Sequence, residues 1–239
     1  MKAVFVQTDI VWADPCANLH ALDVLFESLQ PADLYVLPEM FTTGFATEPE
    51  GIAETDGTGL EWMRRKAAEL DCAIAGSIAT EEGGRFYNRF YFVAPDCEYH
   101  YDKHHLFTYS GEHLKYTAGR EKLSFEWRGV RFRAIVCYDL RFPGWIRNDR
   151  NAPYDVLLCV ASWPKSRADA WKTLVRARAI ENQCYVVAVN RTGTDPKCEY
   201  SGDSAIIDPY GREIPNGSEL ELGELEEFRK KFPVLQDAD

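Results

Sequence analysis

The 239-residue sequence contains no CxxC pair, no long uncharged apolar run and no basic patch. A transmembrane helix needs about 18 or more consecutive apolar residues, so no membrane span is predicted. Proteins that bind a phosphate backbone ordinarily carry a basic surface, whereas this chain has a formal net charge of −11. These absences argue against a membrane protein and against a nucleic-acid-binding protein.

The seven cysteines are odd in number, so they cannot all be paired in disulfides within the chain. Three of them, Cys72, Cys159 and Cys184, lie inside apolar runs, where cysteine packs as a small hydrophobic residue. We therefore expect free thiols and a reducing cytoplasmic location. The amino-terminal segment has one lysine and a short apolar run, which indicates a first strand and not a signal peptide.

Four histidines lie close together in sequence: His100, His104, His105 and His113. No HExxH or comparable ligand spacing accompanies them, and the side chains of two adjacent residues point in different directions. The sequence therefore predicts no metal site here.

Short apolar runs alternate with segments of helical periodicity along the chain. The predicted strands are 3–8, 33–37, 72–79, 86–94, 97–102, 122–127, 130–137, 155–162, 184–190 and 203–208, and the predicted helices are 17–29, 58–70, 165–182 and 219–231. Buried strands that alternate with helices require helices on a sheet face, and the consecutive central strands favour a mixed sheet. Because no linker interrupts the pattern, we predict a single α/β domain, 1–239, built as a layered sandwich.

Three chemically capable residues, Glu39, Lys103 and Cys137, each follow a predicted strand. Ligand sites of α/β proteins form where strand ends meet in a crevice. Each residue alone has an ordinary structural explanation, as a turn, solvated or core residue. The three together indicate a catalytic site.

Cys137 lies in the segment IVCYDLRFP, between a strand and a helix expected to begin near Pro143. Such a turn lifts the sulfur out of the sheet, and a helix amino terminus lowers the pKa of a nearby thiol. Asp139 and Arg141 are close enough in sequence to form an ion pair that stabilises the turn, so we assign them a structural role first and a catalytic role second.

The segments LPEMFTTGF, YDKHHLF and VCYDLRFPGW resemble the three signature segments of the nitrilase superfamily of carbon–nitrogen hydrolases. The resemblance continues through ASWP (161–164), ARAIENQCYV (177–186), NRTG (190–193) and GDS (202–204), so it covers nearly the whole chain. Within the superfamily, the residues of these segments are most similar to those of the ω-amidase branch. The resemblance implies a four-layer α-β-β-α sandwich with mixed sheets.

The resemblance also implies a Glu–Lys–Cys triad. Glu39 would be the general base, and Cys137 the nucleophile that forms a thioester. Lys103 and the backbone N–H of Tyr138 would donate to the oxyanion. Because ammonia leaves directly, neither a metal nor an organic cofactor is implied.

Further site residues follow from the same resemblance. Glu112 lies nine residues after Lys103, where the superfamily carries a second glutamate that positions the lysine; the alternative is a surface-loop residue. The candidate pocket walls are Phe45, Tyr109, Trp163 and Arg191, although Trp163 is equally suited to core packing. The carboxylate of a 2-oxo acid needs a cationic or N–H site, for which Arg191 is a candidate.

Three functions remain open. The first is an ω-amidase that acts on 2-oxoglutaramate or 2-oxosuccinamate. The second is another amidase or N-carbamoyl hydrolase of the same superfamily. The third is an inactive binding scaffold, against which the intact Glu39, Lys103 and Cys137 argue.

The resemblance further implies a homodimer joined through helices near 143–149 and 165–182. Members of the family usually have a longer connection with another strand after residue 208, so either this chain has a shortened edge there or some residues are missing from the given sequence.

Overall fold

Two β-sheets stacked face to face organise the computed structural model, which describes residues 1–237. The first sheet contains five neighbouring strands, β1 (Ala3–Phe5), β2 (Leu34–Val36), β3 (Ala73–Glu82), β4 (Arg85–Ala94) and β5 (Cys97–Asp102). Strands β1, β2 and β3 are parallel, whereas β3, β4 and β5 pair antiparallel. The sheet is therefore mixed, as predicted.

The remaining strands form a second, six-stranded sheet and a small hairpin. They are β6 (Leu123–Trp127), β7 (Val130–Val136), β8 (Val156–Ala161), β9 (Tyr185–Asn190), β10 (Thr192–Thr194), β11 (Glu199–Ser201), β12 (Ala205–Ile207) and β13 (Glu213–Ile214). The second sheet has the order β13-β12-β9-β8-β7-β6, with β7, β8 and β9 parallel. Strands β10 and β11 pair with each other.

Four of the five α-helices in residues 1–237 pack against the outer faces of the sheets, and the last packs against the core between them. In chain order, the five are α1 (Pro15–Phe26), α2 (Thr58–Leu70), α3 (Pro143–Ile146), α4 (Ala168–Asn182) and α5 (Leu222–Lys231). Helices α1 and α2 pack on the first sheet through Leu22, Trp62 and Met63, and α4 packs on the second through Trp171 and Val175. This is the α-β-β-α sandwich that the sequence predicts. None of the helices in residues 1–237 is long and apolar enough to cross a membrane.

The inner faces of the sheets meet in a core of aromatic and β-branched side chains. In β4, Phe90 and Phe92 point into this core, whereas Tyr91 and Val93 point toward α1 and α2. Side chains alternate along a strand, so Asn88 lies on the same inner face as the two phenylalanines. The strand therefore carries one polar residue into the space between the sheets.

The edge strand that the sequence leaves in doubt after residue 208 is present, as the two-residue strand β13 before α5. Asp208 Oδ1 accepts hydrogen bonds from the N–H groups of Tyr210 and Arg212, both at 2.9 Å. Gly211 adopts φ 83°, which a residue without a Cβ tolerates. This tight reversal lets β13 pair with β12 within very few residues.

Candidate active site

Cys137 stands where β7 ends and a 3₁₀ turn, Cys137–Arg141, begins. Its φ is 45°, a left-handed conformation that a residue with a Cβ adopts only when its surroundings impose it. The Asp139 side chain imposes part of that conformation, since its Oδ2 accepts a 3.0 Å hydrogen bond from the Val136 N–H. The turn raises the sulfur out of the plane of the sheet.

Asp139 also ties this turn to the first sheet. The fully buried carboxylate accepts hydrogen bonds from the Tyr101 hydroxyl at 2.8 Å, the His105 N–H at 2.9 Å and His105 Nδ1 at 2.8 Å. Tyr101 belongs to β5, so a strand of the other sheet positions the nucleophile turn.

The predicted ion pair between Asp139 and Arg141 is wrong. A 3₁₀ helix has about three residues per turn, so side chains two positions apart diverge. Asp139 points into the protein, while the Arg141 guanidinium lies 4.7 Å over the ring of Trp163. The predicted structural role of Asp139 is retained through other partners.

Glu39, Lys103 and Glu112 meet in one fully buried cluster. Lys103 Nζ lies 2.9 Å from Glu39 Oε1, 2.9 Å from Glu112 Oε2 and 3.1 Å from Glu112 Oε1. Burial opposes the charged form of Lys103, but the two carboxylates outweigh it and raise its pKa. Burial raises the pKa of Glu112 despite the neighbouring ammonium. Glu112 is therefore part of the cluster and not a surface-loop residue.

Sequence analysis missed Asn88. Its Nδ2 donates to Glu39 Oε1 at 2.7 Å and to Glu112 Oε1 at 3.1 Å, and its Oδ1 accepts from the Ser77 hydroxyl at 2.9 Å. It therefore holds both carboxylates in place. A polar residue in phase with Phe90 and Phe92 in FYNRFYF was the signal that would have identified it.

The two carboxylates differ in how much acceptor capacity they have left. A carboxylate has about four lone-pair sites. Glu112 accepts from Lys103 at both oxygens, from Asn88 and from the Phe107 N–H. Glu39 accepts from Lys103, from Asn88 and, at Oε2, from the Ser162 N–H at 2.8 Å. A lone pair on Glu39 Oε2 therefore remains for a further proton donor.

The Cys137 thiol lies near this cluster, where Glu39, Lys103 and the Ser162 backbone all affect its pKa. Burial and the Glu39 charge raise the pKa of the thiol well above its usual range, although Lys103 and Ser162 oppose them. The predicted lowering of this pKa is wrong because desolvation outweighs the positive field. A thiol whose pKa is raised needs a base before it can act as a nucleophile.

A pocket of about 330 Å³ opens above Cys137 and Lys103. Among the predicted wall residues, Phe45, Tyr109 and Trp163 line it, as does Tyr138. Trp163 is only 3% exposed and also packs in the outer core of the second sheet, so both of its predicted roles apply.

Tyr109, Phe45 and the backbone N–H of Tyr138 lie at different places around the pocket. Tyr109 is 85% exposed and forms the rim. The ring of Phe45 lies 5.2 Å from Lys103 Nζ. As the second residue of a 3₁₀ turn, Tyr138 carries a backbone N–H that the turn itself does not use.

Arg191 does not line the pocket, contrary to prediction. It is fully buried, and its Nη2 donates to Asp9 Oδ1 at 3.0 Å and to the Ile10 carbonyl at 2.9 Å. Its guanidinium therefore joins the amino-terminal loop to the end of β9. The cations that line the pocket are Lys103, Arg141, Arg167 and Lys197, of which sequence analysis proposed only the first two as site residues.

Two of the four clustered histidines, His104 and His105, have partners within the protein. His105 is held by Asp139 and stacks on Phe142, and His104 stacks on Trp145 with ring centroids 3.7 Å apart. Within residues 1–237, no group of three or more histidine, cysteine or acidic side chains is arranged to hold a metal ion.

Comparison with known proteins places these residues in a family. The model of the carbon–nitrogen hydrolase family matches residues 2–225. The chain is 44% identical to omega-amidase YafV of Escherichia coli K12, covering 100% of this chain and 97% of the relative. It is 38% identical to the 2-oxoglutaramate amidase of Bacillus subtilis, covering 97% and 95%.

A solved structure of a protein from the same family is also similar to this chain. A CN-hydrolase superfamily protein from Xanthomonas campestris, with an arsenic adduct in its active site, is 43% identical and has a TM-score of 0.94. The similarity covers 100% of this chain and 97% of that one. The match of the family model and the full-length relatives agree with the arrangement of Glu39, Lys103 and Cys137: this chain belongs to the carbon–nitrogen hydrolases, a family of amide-cleaving enzymes.

Proposed function

We propose that this enzyme is an ω-amidase, which hydrolyses the terminal amide of small 2-oxo acid amides such as 2-oxoglutaramate to the dicarboxylate and ammonia. The observation that carries the proposal is Lys103 bridging Glu39 and Glu112 at the base of the pocket that Cys137 lines. The 44% identity to omega-amidase YafV over the whole chain supports the substrate class.

Glu39 acts as the general base in the first half-reaction. Its free Oε2 lone pair takes the thiol proton while the Cys137 sulfur attacks the amide carbon. The carbonyl oxygen becomes an oxyanion that accepts hydrogen bonds from Lys103 Nζ and the Tyr138 N–H. Collapse of this intermediate breaks the C–N bond, and the proton held by Glu39 goes to the departing ammonia. A thioester on Cys137 remains.

In the second half-reaction, Glu39 again acts as the general base, and water replaces the thiol as the attacking group. Glu39 removes a proton from a water molecule, whose oxygen attacks the thioester carbon. The C–S bond breaks, the carboxylic acid leaves, and the proton returns from Glu39 to sulfur. Glu112 binds Lys103 through both oxygens in each step. Because its acceptor sites are all occupied, its role is to position the ammonium and not to take a proton.

The test is ammonia release from 2-oxoglutaramate, measured beside simple aliphatic amides and N-carbamoyl amino acids. We expect the highest kcat/KM for 2-oxoglutaramate and a mass increase on Cys137 when the reaction is quenched early. Preference for an N-carbamoyl compound or an aliphatic amide would move the enzyme to another branch of its family. Absence of turnover with every compound would favour the binding scaffold.

We also propose a homodimer in which α4 forms part of the interface. Ile180 on α4, Tyr210 and Phe232 are each more than half exposed, and the ring of Phe228 lies 4.2 Å from Tyr210 and 6.3 Å from Phe232. Exposed apolar patches of this kind favour association. Sedimentation at micromolar protein should give twice the chain mass, and Ile180→Glu should shift it toward the monomer.

Two further proposals concern organisation and location. We propose a single domain over 1–239, of which residues 238–239 lie outside the described part. We also propose a cytoplasmic location, because all seven cysteines are free thiols. Limited proteolysis that released a stable fragment would contradict the first proposal.

A further inference from the structure

Ser77 is a fully buried polar residue of β3, next to the charged cluster but outside the residues that line the pocket. Side chains alternate along a strand, so Ser77 lies on the same inner face as Ala75, which packs in the core between the sheets. A buried hydroxyl is costly unless it forms hydrogen bonds, so the partners of Ser77 indicate its role.

The Ser77 hydroxyl joins two elements of the active site. Its oxygen accepts a 2.9 Å hydrogen bond from the Met40 N–H, and its proton is donated to Asn88 Oδ1 at 2.9 Å. The direction is fixed, because a backbone N–H can only donate and a hydroxyl has a single proton. The amide oxygen of Asn88 therefore faces Ser77. The amide nitrogen points the other way and donates to Glu39 and Glu112.

Met40, the residue after Glu39, has a strained backbone. Its φ is 47°, in the left-handed region that a residue with a Cβ rarely adopts. Such a conformation persists only when surrounding contacts impose it. Ser77 supplies two of those contacts, since its hydroxyl accepts from the Met40 N–H and its carbonyl accepts from the Phe41 N–H at 3.1 Å. Ser77 therefore holds the backbone that carries Glu39.

These hydrogen bonds close a ring around the Glu39 side chain. The ring runs from Glu39 Oε1 through Asn88 and Ser77 to the N–H of Met40, which is covalently joined to Glu39. A glutamate side chain has several rotatable bonds, and the ring restricts them by fixing the carboxylate relative to its own backbone. A general base must be placed accurately, because a small displacement slows proton transfer.

We propose that Ser77 is a positioning residue for amide hydrolysis, which completes this ring and thereby fixes the Glu39 carboxylate. The proposal rests on the proposed role of Glu39 as the base, and not on 2-oxo acid amides as the substrates. Because Ser77 lies outside the pocket lining, its loss should affect kcat and leave KM nearly unchanged.

The kinetic experiment compares Ser77→Ala, Asn88→Ala and the double variant in ammonia release. Ser77→Ala should lower kcat by about 3- to 10-fold with KM within about twofold, as for loss of one hydrogen bond between uncharged groups. In the Asn88→Ala background the ring is already open, so removal of the hydroxyl should lower kcat by less than about twofold more. Thr80→Ala is the matched control, since it removes a hydroxyl from the opposite face of the same strand.

A spectroscopic experiment separates the ring from the proposed function. In a proton–nitrogen correlation spectrum, the side-chain amide signals of Asn88 are identified by their absence in Asn88→Ala. In Ser77→Ala these signals should shift or broaden, because the amide oxygen has lost its partner. That result supports the ring even if no amide is hydrolysed, an outcome that would defeat the proposed function alone. Unchanged amide signals or an unchanged kcat in Ser77→Ala, or losses that multiply in the double variant, would overturn the proposal.

Discussion

The two sheets contribute different chemistry to the active site. The first sheet supplies the proposed acid–base groups, because Glu39 follows β2, Lys103 follows β5 and Asn88 lies within β4. The second supplies the proposed nucleophile, because Cys137 follows β7, and the backbone donor of Ser162, which follows β8. Neither sheet carries a complete site.

The sheets also differ in how their charges are arranged. The charged groups from the first sheet are fully buried and pair with one another. Arg141 and Arg167, which follow β7 and β8, stack on aromatic rings and line the pocket. The first sheet thus contributes a closed group of paired charges, and the second contributes charges that are open to the pocket. The predictions below compare residues of the two sheets, from the largest expected effect to the smallest.

Cys137→Ala should lower kcat for ammonia release by on the order of 10⁴-fold or more, because no other group can form the thioester. The matched control is Cys198→Ala, which removes a thiol from the wall of the same pocket. It should leave kcat within about threefold, a range typical of a wall contact without a role in the chemistry. Comparable losses in both variants would contradict the assignment of the nucleophile.

Lys103→Met should abolish turnover and lower the free energy of unfolding by about 3–5 kcal/mol, because two buried carboxylates lose their shared cation. Urea unfolding followed by tryptophan fluorescence measures the change. The control is Lys115→Met, which breaks an exposed pair with Glu50 and should change stability little. Stability losses of similar size in the two variants would contradict the buried cluster.

Asn88→Ala should lower kcat by about 10- to 100-fold with a small change in KM, since both carboxylates lose a hydrogen-bond donor. Steady-state kinetics on 2-oxoglutaramate provide the measurement. Asn151→Ala, at an exposed loop position, is the control and should behave as the wild type. A rise in KM alone would move Asn88 from the acid–base side to substrate binding.

Stability should fall as pH rises above about 9, where thiols of the unfolded chain ionise. Burial raises the pKa of Cys72, packed beneath the helices of the first sheet, and of Cys184, beneath those of the second, each to about 12. Between these values the folded protein keeps protons that the unfolded chain releases, so alkalinity favours unfolding.

Cys72→Ala and Cys184→Ala should each reduce that alkaline slope by a similar amount, since each removes one thiol whose pKa burial raises to about 12. Urea midpoints at pH 8, 9 and 10 test this expectation. Cys16→Ala, at an exposed position, is the control and should leave the slope unchanged. An unequal effect of the two core variants would show that the halves of the sandwich differ in alkaline stability.

Local patterns were sufficient to predict most strands and helices and the three residues at strand ends, but not the short strands β10, β11 and β13. Helix α2 and strand β5 have the predicted bounds, 58–70 and 97–102. The predicted helix 165–182 begins instead with a 3₁₀ turn, Lys165–Arg167, and becomes α-helical at Ala168. Helix periodicity does not distinguish these two conformations over a single turn.

The errors concern side chains whose partners are distant in sequence. Arg191 was placed at the pocket, yet it pairs with Asp9, 182 residues away. Asp139 was paired with its neighbour Arg141, yet it binds Tyr101 and His105. The direction of the thiol pKa was also wrong, because sequence shows the nearby charges of Cys137 but not its desolvation.

The sequence by itself determined which groups are available for the chemistry, since periodicity places Glu39, Lys103 and Cys137 at the ends of strands. Only the tertiary structure decided what each group can do. Packing of the two sheets buries Lys103 between two carboxylates, leaves one lone pair on Glu39 near the thiol, and stacks Arg141 and Arg167 in the pocket. The physical reason is that burial and pairing depend on groups brought together across the whole chain, which local sequence does not specify.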